Sequence, residues 1–578
     1  MPPKTRASRK PRTPRPVPVV AAVEGPDLER SPVHTPGRRL RWTTANVDEG
    51  LPGTVTPLTW SLYFPPTEST MRDCWVDLGV MPESERAVPD DVDGRFISVA
   101  YGHAIANVDL MGQMAARIPG GSAAMMEEQL FGSVQGGGLP EPTGLRKMRR
   151  YPFVAVKFPR TLRRAMRALD PTASEIDAWW GRAAFGASDL DLAGATALLV
   201  EARAQFERVL MIHMVLSMAC QGVMGQVETL ATRAGMPELG HQLVKSEQGT
   251  AEFDLVRDLW RLSADEIDMD SFLRSHGYHG PREGLVESVS WREDAAMVRD
   301  LAARYRSRTG DMDGLVLRRR EEHAAAVRRL EGALGRVRSV PARLLLRFAS
   351  NAPDWRETGR ASILRCVDVT RAASGTVGLR LVEEGVLSAP GEVRFLTIDE
   401  LVQIDRATVR SAVVFAGRSV AETVAARRAD HQAYDALSLP HVWHGLPTVE
   451  TVVVSDAVSA DGPAKSPGAS QDGLVVTGLG VSAGVAEGIV RVVTDLDEAD
   501  FDDGTVMVCK ATDPSWASLF PLAEAVVTDV GSAMSHAAIV CRELGLPCVA
   551  NTRTGTTQLR DGMRVRVDGS AGTVEVIG

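Results

Sequence analysis

The sequence lacks the features of membrane-spanning proteins, of secreted proteins and of small domains stabilised by zinc or disulfides. It has no apolar run of about 18 residues, the length that a transmembrane helix requires, and no apolar N-terminal segment that would act as a secretory signal. Its six cysteines form no CxxC pair, which argues against a zinc ribbon and a disulfide framework. We therefore expect a cytoplasmic protein that does not bind a membrane.

Aromatic residues are scarce, and positive charge is concentrated at one end of the chain. Aromatic side chains make up 5% of the residues, so a strongly aromatic ligand cage is not expected. The net charge is −9, although residues 1–42 hold ten Lys and Arg against three Asp and Glu. The remainder is acidic, which makes nucleic-acid binding by bulk electrostatics unlikely. The basic end is either a contact for an acidic partner or nucleic acid, or a solubilising extension.

Composition divides the chain into four parts. Residues 1–41 contain nine prolines and no hydrophobic period, which predicts a disordered basic tail. Residues 42–454 have a mostly helical pattern, and we expect them to form a substrate-binding domain. Residues 455–473 consist almost entirely of small and polar residues, which predicts a flexible linker. Residues 474–578 combine short β-branched runs with one helix, which predicts a small α/β domain.

The pattern locates several elements within these parts. Apolar residues at three- and four-residue spacing predict helices over 191–234, 293–308 and 314–337. In the last part, strands are predicted at 488–494, 505–509, 525–528, 546–550, 564–568 and 573–577, with a helix over 536–544. The fold class is therefore multidomain, with a mainly α-helical central domain followed by a small α/β domain.

The segment with the most chemical information is AVVTDVGSAMSHAAIVCRELGLPCVAN, residues 525–551. A buried strand ends at Thr528, and a helix begins at about His536 with Ser535 as its N-cap. The positive end of the helix dipole disfavours imidazolium, so His536 stays neutral, and the free N–H groups there can hold an anion. These properties suit a histidine that receives and carries a phosphoryl group. Taken alone, a histidine near the start of a helix is usually structural.

The longer string VGSAMSHAAIVCRELGLPCVA resembles the phosphohistidine loop of the swivelling domain in phosphoenolpyruvate-utilising enzymes and dikinases. The strings GLGVSAGVAEGIVRVV and TDPSWASLFPLAEAVVTD extend the resemblance over residues 474–578. It implies that His536 accepts a phosphoryl group from ATP and delivers it to a second site. Candidates for stabilising the phosphate are Gly531, Ser532, Ser535 and Arg542. Ser532 stands where the family usually has a second glycine, and Met534 where many members have threonine.

The middle of the chain resembles rifampin phosphotransferase and its relatives. The resemblance is carried by WTTANVDEGLPGTVTPLTWSL (42–62), SHGYHGPREGLVESVSWRED (275–294), RETGRASILRCVDVTRAASGTVGLRLVEEGVL (356–387) and VRFLTIDEL (393–401). It implies that polar residues in these strings line a phospho-acceptor site. The candidates are Asn46, Glu49, Thr56, His279, Arg282, Glu283 and Arg356. The alternative is that these residues cap helices and bridge them.

Dikinases of this type also have an ATP-grasp domain, and no such domain is recognisable in the sequence. No G-x-x-x-x-G-K-[ST] loop substitutes for it, and the phosphoenolpyruvate-binding barrel of the larger members is absent as well. The resemblance is therefore to one half of a split phosphotransferase, comparable to the phosphohistidine subunit of phenylphosphate synthase. We expect ATP and Mg²⁺ to bind a separate ATP-grasp protein, and no tightly bound cofactor or metal on this chain.

Two functions follow from these observations. The first is a subunit of a split ATP-dependent phosphotransferase, in which His536 carries phosphate to a small-molecule acceptor held by the helical domain. The acceptor group is a hydroxyl, a carboxyl or an enol. The second is a non-catalytic small-molecule-binding or regulatory protein that retains the swivelling domain as a dock. The intact SHAAIV string, which a dock would not need, favours the phosphotransferase.

Overall fold

The fold is taken from a computed structural model of the chain. It describes residues 32–45, 47, 50–131, 136, 138–140, 145–236, 239, 240, 243, 251–306, 312–451, 473–493, 504–512, 516, 518–531 and 535–577. The predicted linker at 455–473 lies outside the described residues except for Gly473, and the first 31 residues of the predicted tail also lie outside them.

The described residues form a helical region followed by a small α/β domain, as predicted. The helices are α1 Pro57–Asp77, α2 Val108–Ala116, α3 Ala123–Phe131, α4 Leu145–Met148, α5 Tyr151–Gly186, α6 Leu192–Arg233, α7 Ala251–Ser263, α8 Met269–His276, α9 Ala296–Arg306, α10 Met312–Glu383, α11 Ile398–Arg406, α12 Val420–Asp435, α13 His536–Leu544 and α14 Gly555–Gln558. Short 3₁₀ helices cover Glu83–Glu85, Val92–Gly94, Ala187–Asp189, Pro390–Phe395, Arg410–Ala412 and Phe520–Leu522.

The strands form two larger sheets and two small ribbons. They are β1 Arg41–Thr43, β2 Ile97–Ala100, β3 His103–Asn107, β4 Val414–Phe415, β5 Arg418–Ser419, β6 Leu437–Ser438, β7 Val442–His444, β8 Glu450–Thr451, β9 Val475–Thr477, β10 Leu479–Ser482, β11 Val485–Val493, β12 Thr505–Cys509, β13 Ala525–Thr528, β14 Cys548–Ala550, β15 Arg564–Asp568 and β16 Thr573–Val576. The first sheet has the antiparallel order β2-β3-β1-β7, and the ribbons pair β4 with β5 and β6 with β8.

The core of the helical region lies between α1, α5, α6 and α10. Trp180 of α5, Phe206 of α6 and Val369 of α10 belong to one buried apolar cluster. Helix α6 begins where the sequence predicts, because the Asp191 side chain accepts a hydrogen bond from the Gly194 N–H and caps the helix. This cluster fixes the positions of α1 and α10, which carry polar residues of the site described below.

Helix α10 is much longer than the helix predicted over 314–337. Glu331 Oε1 lies 2.6 Å from Arg343 Nε, whereas twelve residues of straight helix would separate the two backbones by about 18 Å. The chain therefore bends between these residues. Pro341 lies in this interval, and a proline inside a helix removes a backbone hydrogen bond and bends the helix.

Helix α6 is a long apolar segment of the kind that the sequence analysis did not expect. By length and composition it is apolar enough to cross a membrane, with a mean hydropathy of 1.4 over its most apolar 18 residues. Leu199, Phe206 and Val209 of this helix are nevertheless buried in the core cluster against α5 and α10. We therefore interpret α6 as a core helix.

The predicted tail is too long at its C-terminal end. Val33 is buried, the Thr35 N–H donates to the Val99 carbonyl, and β1 begins at Arg41. Arg41 is itself buried and paired with Asp109 and with Glu127. Residues 32–41 thus lie in the fold, because these strand and ion-pair contacts outweigh the local proline content.

The C-terminal domain is one sheet with the order β10-β14-β13-β12-β11-β15-β16-β9. Strands β11 to β14 are mutually parallel, and the outer strands are antiparallel. The predicted bounds of β12, β13, β15 and α13 are confirmed. Strands β9 and β10 were not predicted, because the glycines around them interrupt the β-branched pattern.

The helices α7, α8 and α9 share a buried apolar cluster with this sheet domain. Leu259 of α7 and Tyr305 of α9 lie in the same cluster as Phe520 and Val540 of the C-terminal domain. The Tyr305 hydroxyl also donates to the Ser518 carbonyl at 2.7 Å. This interface holds the C-terminal domain against the helical region and places α13 at the boundary between them.

Candidate phosphohistidine site

The site begins at the carboxyl end of β13, a parallel strand in the middle of the sheet. Crevices beyond the carboxyl ends of parallel strands are the usual ligand positions in open α/β sheets. After Thr528 the chain passes Gly531, and α13 begins at His536. Ser535 is the N-cap, and its hydroxyl accepts a hydrogen bond from the Ala538 N–H at 3.4 Å. A Cβ atom at Gly531 would lie 3.2 Å from the Ser535 hydroxyl oxygen, so a side chain there would crowd the cap.

His536 is 5% exposed and faces the helical region. Its Nδ1 atom lies 3.2 Å from Nη1 of Arg360, on α10. Its Nε2 atom is buried and has no hydrogen-bond partner among the described residues. The two ring nitrogens therefore differ in their surroundings, because a cation contacts Nδ1 and no described group contacts Nε2.

Arg360 connects His536 to a buried pair of acidic and imidazole groups. Its Nη2 donates to Glu283 Oε1 at 2.6 Å, and its Nη1 also donates to Glu357 Oε2 at 3.1 Å. The other oxygen of Glu283, Oε2, lies 2.7 Å from Nδ1 of His279. A continuous network of polar contacts thus connects His536 in the C-terminal domain with His279 in the helical region.

Burial and the charges of this network keep His536 neutral. Burial, reinforced by the neighbouring Arg360 cation, lowers the pKa of His536 to about 3. Because a guanidinium can only donate, Nδ1 of His536 must accept, and the neutral ring then carries its proton on Nε2. Burial alone would raise the pKa of Glu283, but its contacts with His279 and Arg360 hold the pKa below its ordinary value. Glu283 is therefore a carboxylate that accepts from both of its partners.

A third histidine, His213, is partly buried and lies beside the same turn of α10. A Cβ atom at Gly359 would meet Nδ1 of His213 at 2.8 Å, and this nitrogen has no partner among the described residues. Burial and the nearby Arg356 cation lower the pKa of His213 to about 4. Arg356 also acts, more weakly, to lower the pKa of His536. The turn from 356 to 360 therefore supplies positive charge next to two neutral imidazoles.

The structure brings together only some of the residues predicted from the sequence. His279 and Glu283 join His536 through Arg360. Thr56 caps α1 and donates to Glu287 Oε2 at 3.1 Å. These contacts agree with the alternative that such residues cap and bridge helices. Arg282 is exposed, with a positive φ of 48°, and contacts none of these groups.

Arg542 lies at the opposite end of α13 from His536. Six helical residues separate the two backbones by about 9 Å. Its Nε donates to the Ala538 carbonyl at 2.9 Å. This contact turns the Arg542 side chain back along α13 toward the N-terminal part of the helix. Asn46, Glu49, Ser532 and Met534 lie outside the described residues.

Three residues of the cluster were not singled out in the sequence: Arg360, Glu357 and His213. Arg356 and Arg360 are four residues apart in a helical segment, and this spacing places two cations on one helix face. That spacing was a usable signal. Nothing in the local sequence marks His213, which looks like one more residue of an apolar helix.

The cluster contains no arrangement typical of a metal site. Among the described residues, no three His, Cys, Asp or Glu side chains lie close enough together to hold a metal ion. The groups instead suit a neutral nucleophile, a guanidinium that can stabilise negative charge, and a carboxylate-oriented imidazole.

Two protein families match parts of the chain. Residues 501–572 match the mobile domain of PEP-utilising enzymes, and residues 193–357 match the fourth domain of rifampicin phosphotransferase. The first match covers α13 with His536, and the second covers His213, His279 and Glu283. The predicted resemblance to both families is confirmed. The two matches together cover less than half of the chain.

Curated relatives give the same result. Rifampicin phosphotransferase from Streptomyces sp is 35% identical over 244 residues, which is 42% of this chain and 26% of the relative. Rifampicin phosphotransferase from Bacillus subtilis is 32% identical over 197 residues, covering 34% of this chain and 20% of the relative. An uncharacterized phosphotransferase of Bacillus subtilis, YvkC, is 34% identical over 202 residues, covering 35% of this chain and 23% of the relative. The matched segments thus span about a quarter or less of these relatives.

Proposed function

We propose that this chain is a phosphotransferase component that carries a phosphoryl group on His536 to a small-molecule acceptor in the helical domain. The observation that carries the proposal is the contact of His536 with Arg360, which joins the histidine to the buried Glu283–His279 pair. A docking surface without chemistry has no need for a neutral, buried imidazole facing a guanidinium and a second imidazole. The matches to phosphotransferases support the same reaction class.

The phosphoryl group is carried on Nε2 of His536. In the docked arrangement Arg360 donates to Nδ1, whereas Nε2 has no partner among the described residues. During transfer the Nε2–P bond breaks and a bond forms between phosphorus and the acceptor oxygen. The imidazole leaves with the electron pair of the broken bond, and Arg360 stabilises the negative charge that develops on the ring. A proton then binds Nε2, which gives the tautomer inferred for the docked histidine.

For a hydroxyl acceptor, the proton lost by the oxygen goes first to Nε2 of His279. The Glu283 carboxylate accepts from Nδ1 of His279, which leaves Nε2 as the ring nitrogen that can take up the proton. This nitrogen is buried and has no partner among the described residues. Glu283 orients the imidazole and stabilises the positive charge that the ring gains, as a carboxylate does in other His–carboxylate pairs.

The phosphoryl group comes from ATP bound with Mg²⁺ by a separate ATP-grasp protein. No P-loop sequence occurs in the chain, and the described cluster has no metal-binding group of side chains. The C-terminal domain then moves between the donor and the helical domain. Residues 455–473 join the C-terminal domain to the helical domain in the sequence, and their small and polar composition is typical of a linker. A phosphohistidine intermediate divides the transfer into two steps at two separate sites.

The test is to phosphorylate the purified chain and locate the label. One sample receives phosphoramidate, a small donor that phosphorylates histidine, and a second receives labelled Mg-ATP with a candidate ATP-grasp protein. We expect one phosphoryl group per chain, lost in acid and stable in alkali, with the Nε2 isomer seen by NMR. Phosphorylated chain is then mixed with a panel of hydroxyl, carboxyl and enol compounds to find the acceptor.

His536→Asn is the decisive variant, because it keeps a similar size but removes the nucleophilic ring nitrogen. It should fold and take up no label, whereas the control His103→Asn, in the first sheet, should be labelled like the wild type. Label on His536→Asn, or an acid-stable label on the wild type, would place the chemistry on another residue such as Ser535. A wild-type chain that no donor phosphorylates would support the non-catalytic binding protein instead.

A further inference from the structure

Helix α5 presents an arginine-rich outer face with no ionic partner among the described residues. From residue 142 to residue 169 the chain contains nine Lys and Arg and no Asp or Glu, although its net charge is −9. Charge segregation of this kind is far from the mixed pattern of an ordinary solvated helix. It identifies this face as a region of strong positive potential on an acidic protein.

The orientation of α5 is fixed by its inner face. Val154, Ala165 and Leu169 are buried in an apolar cluster with α1 and α6. On the outer face, the arginines are exposed and have no carboxylate within 4 Å among the described residues; they are Arg160, Arg163, Arg164 and Arg167. Positions 160, 163 and 167 follow the three- and four-residue spacing of one helix face, so they form a line about 10 Å long.

Apolar side chains continue this line at the N-terminal end of the helix. Met148, Phe153 and Val156 are 55%, 51% and 63% exposed, and Val156 lies four residues before Arg160. The guanidinium of Arg150 lies 4.6 Å from the centre of the Phe153 ring and restricts its position. A rigid exposed aromatic ring beside arginines has the composition of a protein–protein interface, in which aromatic residues, Met and Arg are enriched.

We propose that this surface, formed by Met148, Phe153, Val156, Arg160, Arg163 and Arg167, docks an acidic protein. Arginine matches carboxylates in two-point hydrogen bonds, and the apolar end requires an apolar pocket on the partner. A membrane fits less well, because the main apolar face of α5 is buried in the protein and offers a bilayer only three side chains. Nucleic acid fits less well too, because phosphate contacts gain little from exposed Phe and Val. The proposal does not depend on the reaction assigned to His536.

The test compares four probes at 150 mM salt: polyglutamate, a glutamate–tyrosine copolymer, phosphatidylserine vesicles and duplex DNA. The full chain should bind the copolymer most tightly. A triple variant of Arg160→Glu, Arg163→Glu and Arg167→Glu should weaken copolymer binding about tenfold or more. The control changes the charge equally at scattered exposed arginines, Arg233→Glu, Arg299→Glu and Arg560→Glu, and should weaken it by no more than about twofold. Thermal unfolding checks that both variants fold.

A further pair of substitutions separates charge from apolar docking. Phe153→Ser with Val156→Ser should weaken binding of the copolymer and leave binding of polyglutamate unchanged. An equal loss in the two arginine variants would overturn the docking surface. Tighter binding of vesicles or DNA than of the copolymer would assign the face to a lipid or nucleic-acid partner and overturn the protein partner. Unchanged copolymer binding in the serine variant would remove the apolar pocket from the proposal.

Discussion

Nδ1 of His536 lies 3.2 Å from Nη1 of Arg360, although 176 residues separate them in the chain. The contact crosses the boundary between the C-terminal α/β domain and the helical region, so it exists only while the two are docked. It makes the protonation of His536 and the docking of its domain interdependent. The first two predictions follow from this relationship.

Replacing Arg360 with Met should raise the pKa of His536 above its value of about 3. Arg360 is the strongest cationic contributor to the low pKa, but burial contributes more and remains, so the pKa should stay below its ordinary value. The measurement is an NMR titration of the His536 ring. Arg356→Met is the matched control, because Arg356 contributes less, and its effect should be smaller. Equal effects of the two substitutions would mean that the contact with Arg360 is not formed in solution.

Acid should release the C-terminal domain from the helical region. The ordinary pKa of a histidine is about 6.5, whereas docking holds the pKa of His536 at about 3. The undocked state therefore binds a proton that the docked state excludes. The equilibrium constant for docking is therefore highest above pH 6.5. It falls by up to about tenfold per pH unit as the pH falls toward 3.

Small-angle scattering between pH 7.5 and pH 5 measures this release as an increase in the radius of gyration. His536→Asn is the control, because asparagine does not titrate in this range. Its dimensions should change much less with pH than those of the wild type. The same expansion in both chains would show that another group controls docking.

Replacing Glu283 with Gln should impair delivery of the phosphoryl group more than its uptake. The amide cannot accept from both Arg360 and His279 as the carboxylate does, so the orientation of His279 is lost. We expect labelling of His536 by phosphoramidate to be unchanged and transfer to the acceptor to fall about 100-fold. Quench-flow measurement of phosphohistidine loss separates the two steps. An equal loss of both would show that Glu283 only maintains the fold.

The sequence predicts the local parts of this site and misses the contacts between its domains. Asp191 marks the start of α6, and Ser535 and His536 mark the start of α13, because a capping side chain acts within its own turn. Arg360 has no such local signature as a partner of His536. Its role arises from the packing of α10 against a domain far along the chain, and hydrophobic periodicity does not report which surfaces meet.

The length of helix α10 is a second feature that depends on tertiary contacts and that the local sequence pattern does not predict. The pattern over 314–337 predicts a helix, but its true end at Glu383 depends on contacts with α6 and α5 that continue beyond Pro341. Proline is a helix-ending signal in a sequence. Here tertiary packing resumes the helix after the bend, so the local rule fails.

Asp368 should be a major determinant of stability. It is fully buried, and it accepts hydrogen bonds from Trp180 Nε1 at 2.8 Å, Arg292 Nε at 3.0 Å and Arg371 Nη1 at 2.9 Å. Burial alone would raise the pKa of Asp368, but the two arginines hold it below its ordinary value. Asp368→Asn leaves the buried guanidinium of Arg371 and the partly buried one of Arg292 without this counter-charge, and it should lower the free energy of unfolding by about 3–5 kcal/mol.

Urea denaturation checks the stability prediction. The control is Asp399→Asn, which removes an exposed partner of Arg203 and should cost less than about 1 kcal/mol. If Asp399→Asn cost as much as Asp368→Asn, the buried ion network would have no special importance.

Removing the Tyr305 hydroxyl should loosen docking without unfolding either part of the chain. This hydroxyl donates to the Ser518 carbonyl at 2.7 Å across the interface between α9 and the C-terminal domain. Tyr305→Phe keeps the ring in the shared apolar cluster but leaves the carbonyl without this donor while the domains are docked, a cost of about 1–3 kcal/mol. When the domains separate, water satisfies the carbonyl, so the cost falls on the docked state alone.

We expect the Tyr305→Phe variant to show faster hydrogen exchange at α13, slower transfer from phosphorylated His536 to the acceptor, and unchanged labelling by phosphoramidate. Tyr151→Phe, which removes a hydroxyl at the start of α5, should change none of these. Unchanged exchange at α13 and unchanged transfer in Tyr305→Phe would show that this hydrogen bond does not stabilise the docked state. The contact between Arg360 and His536 would then have to hold the domains together without it.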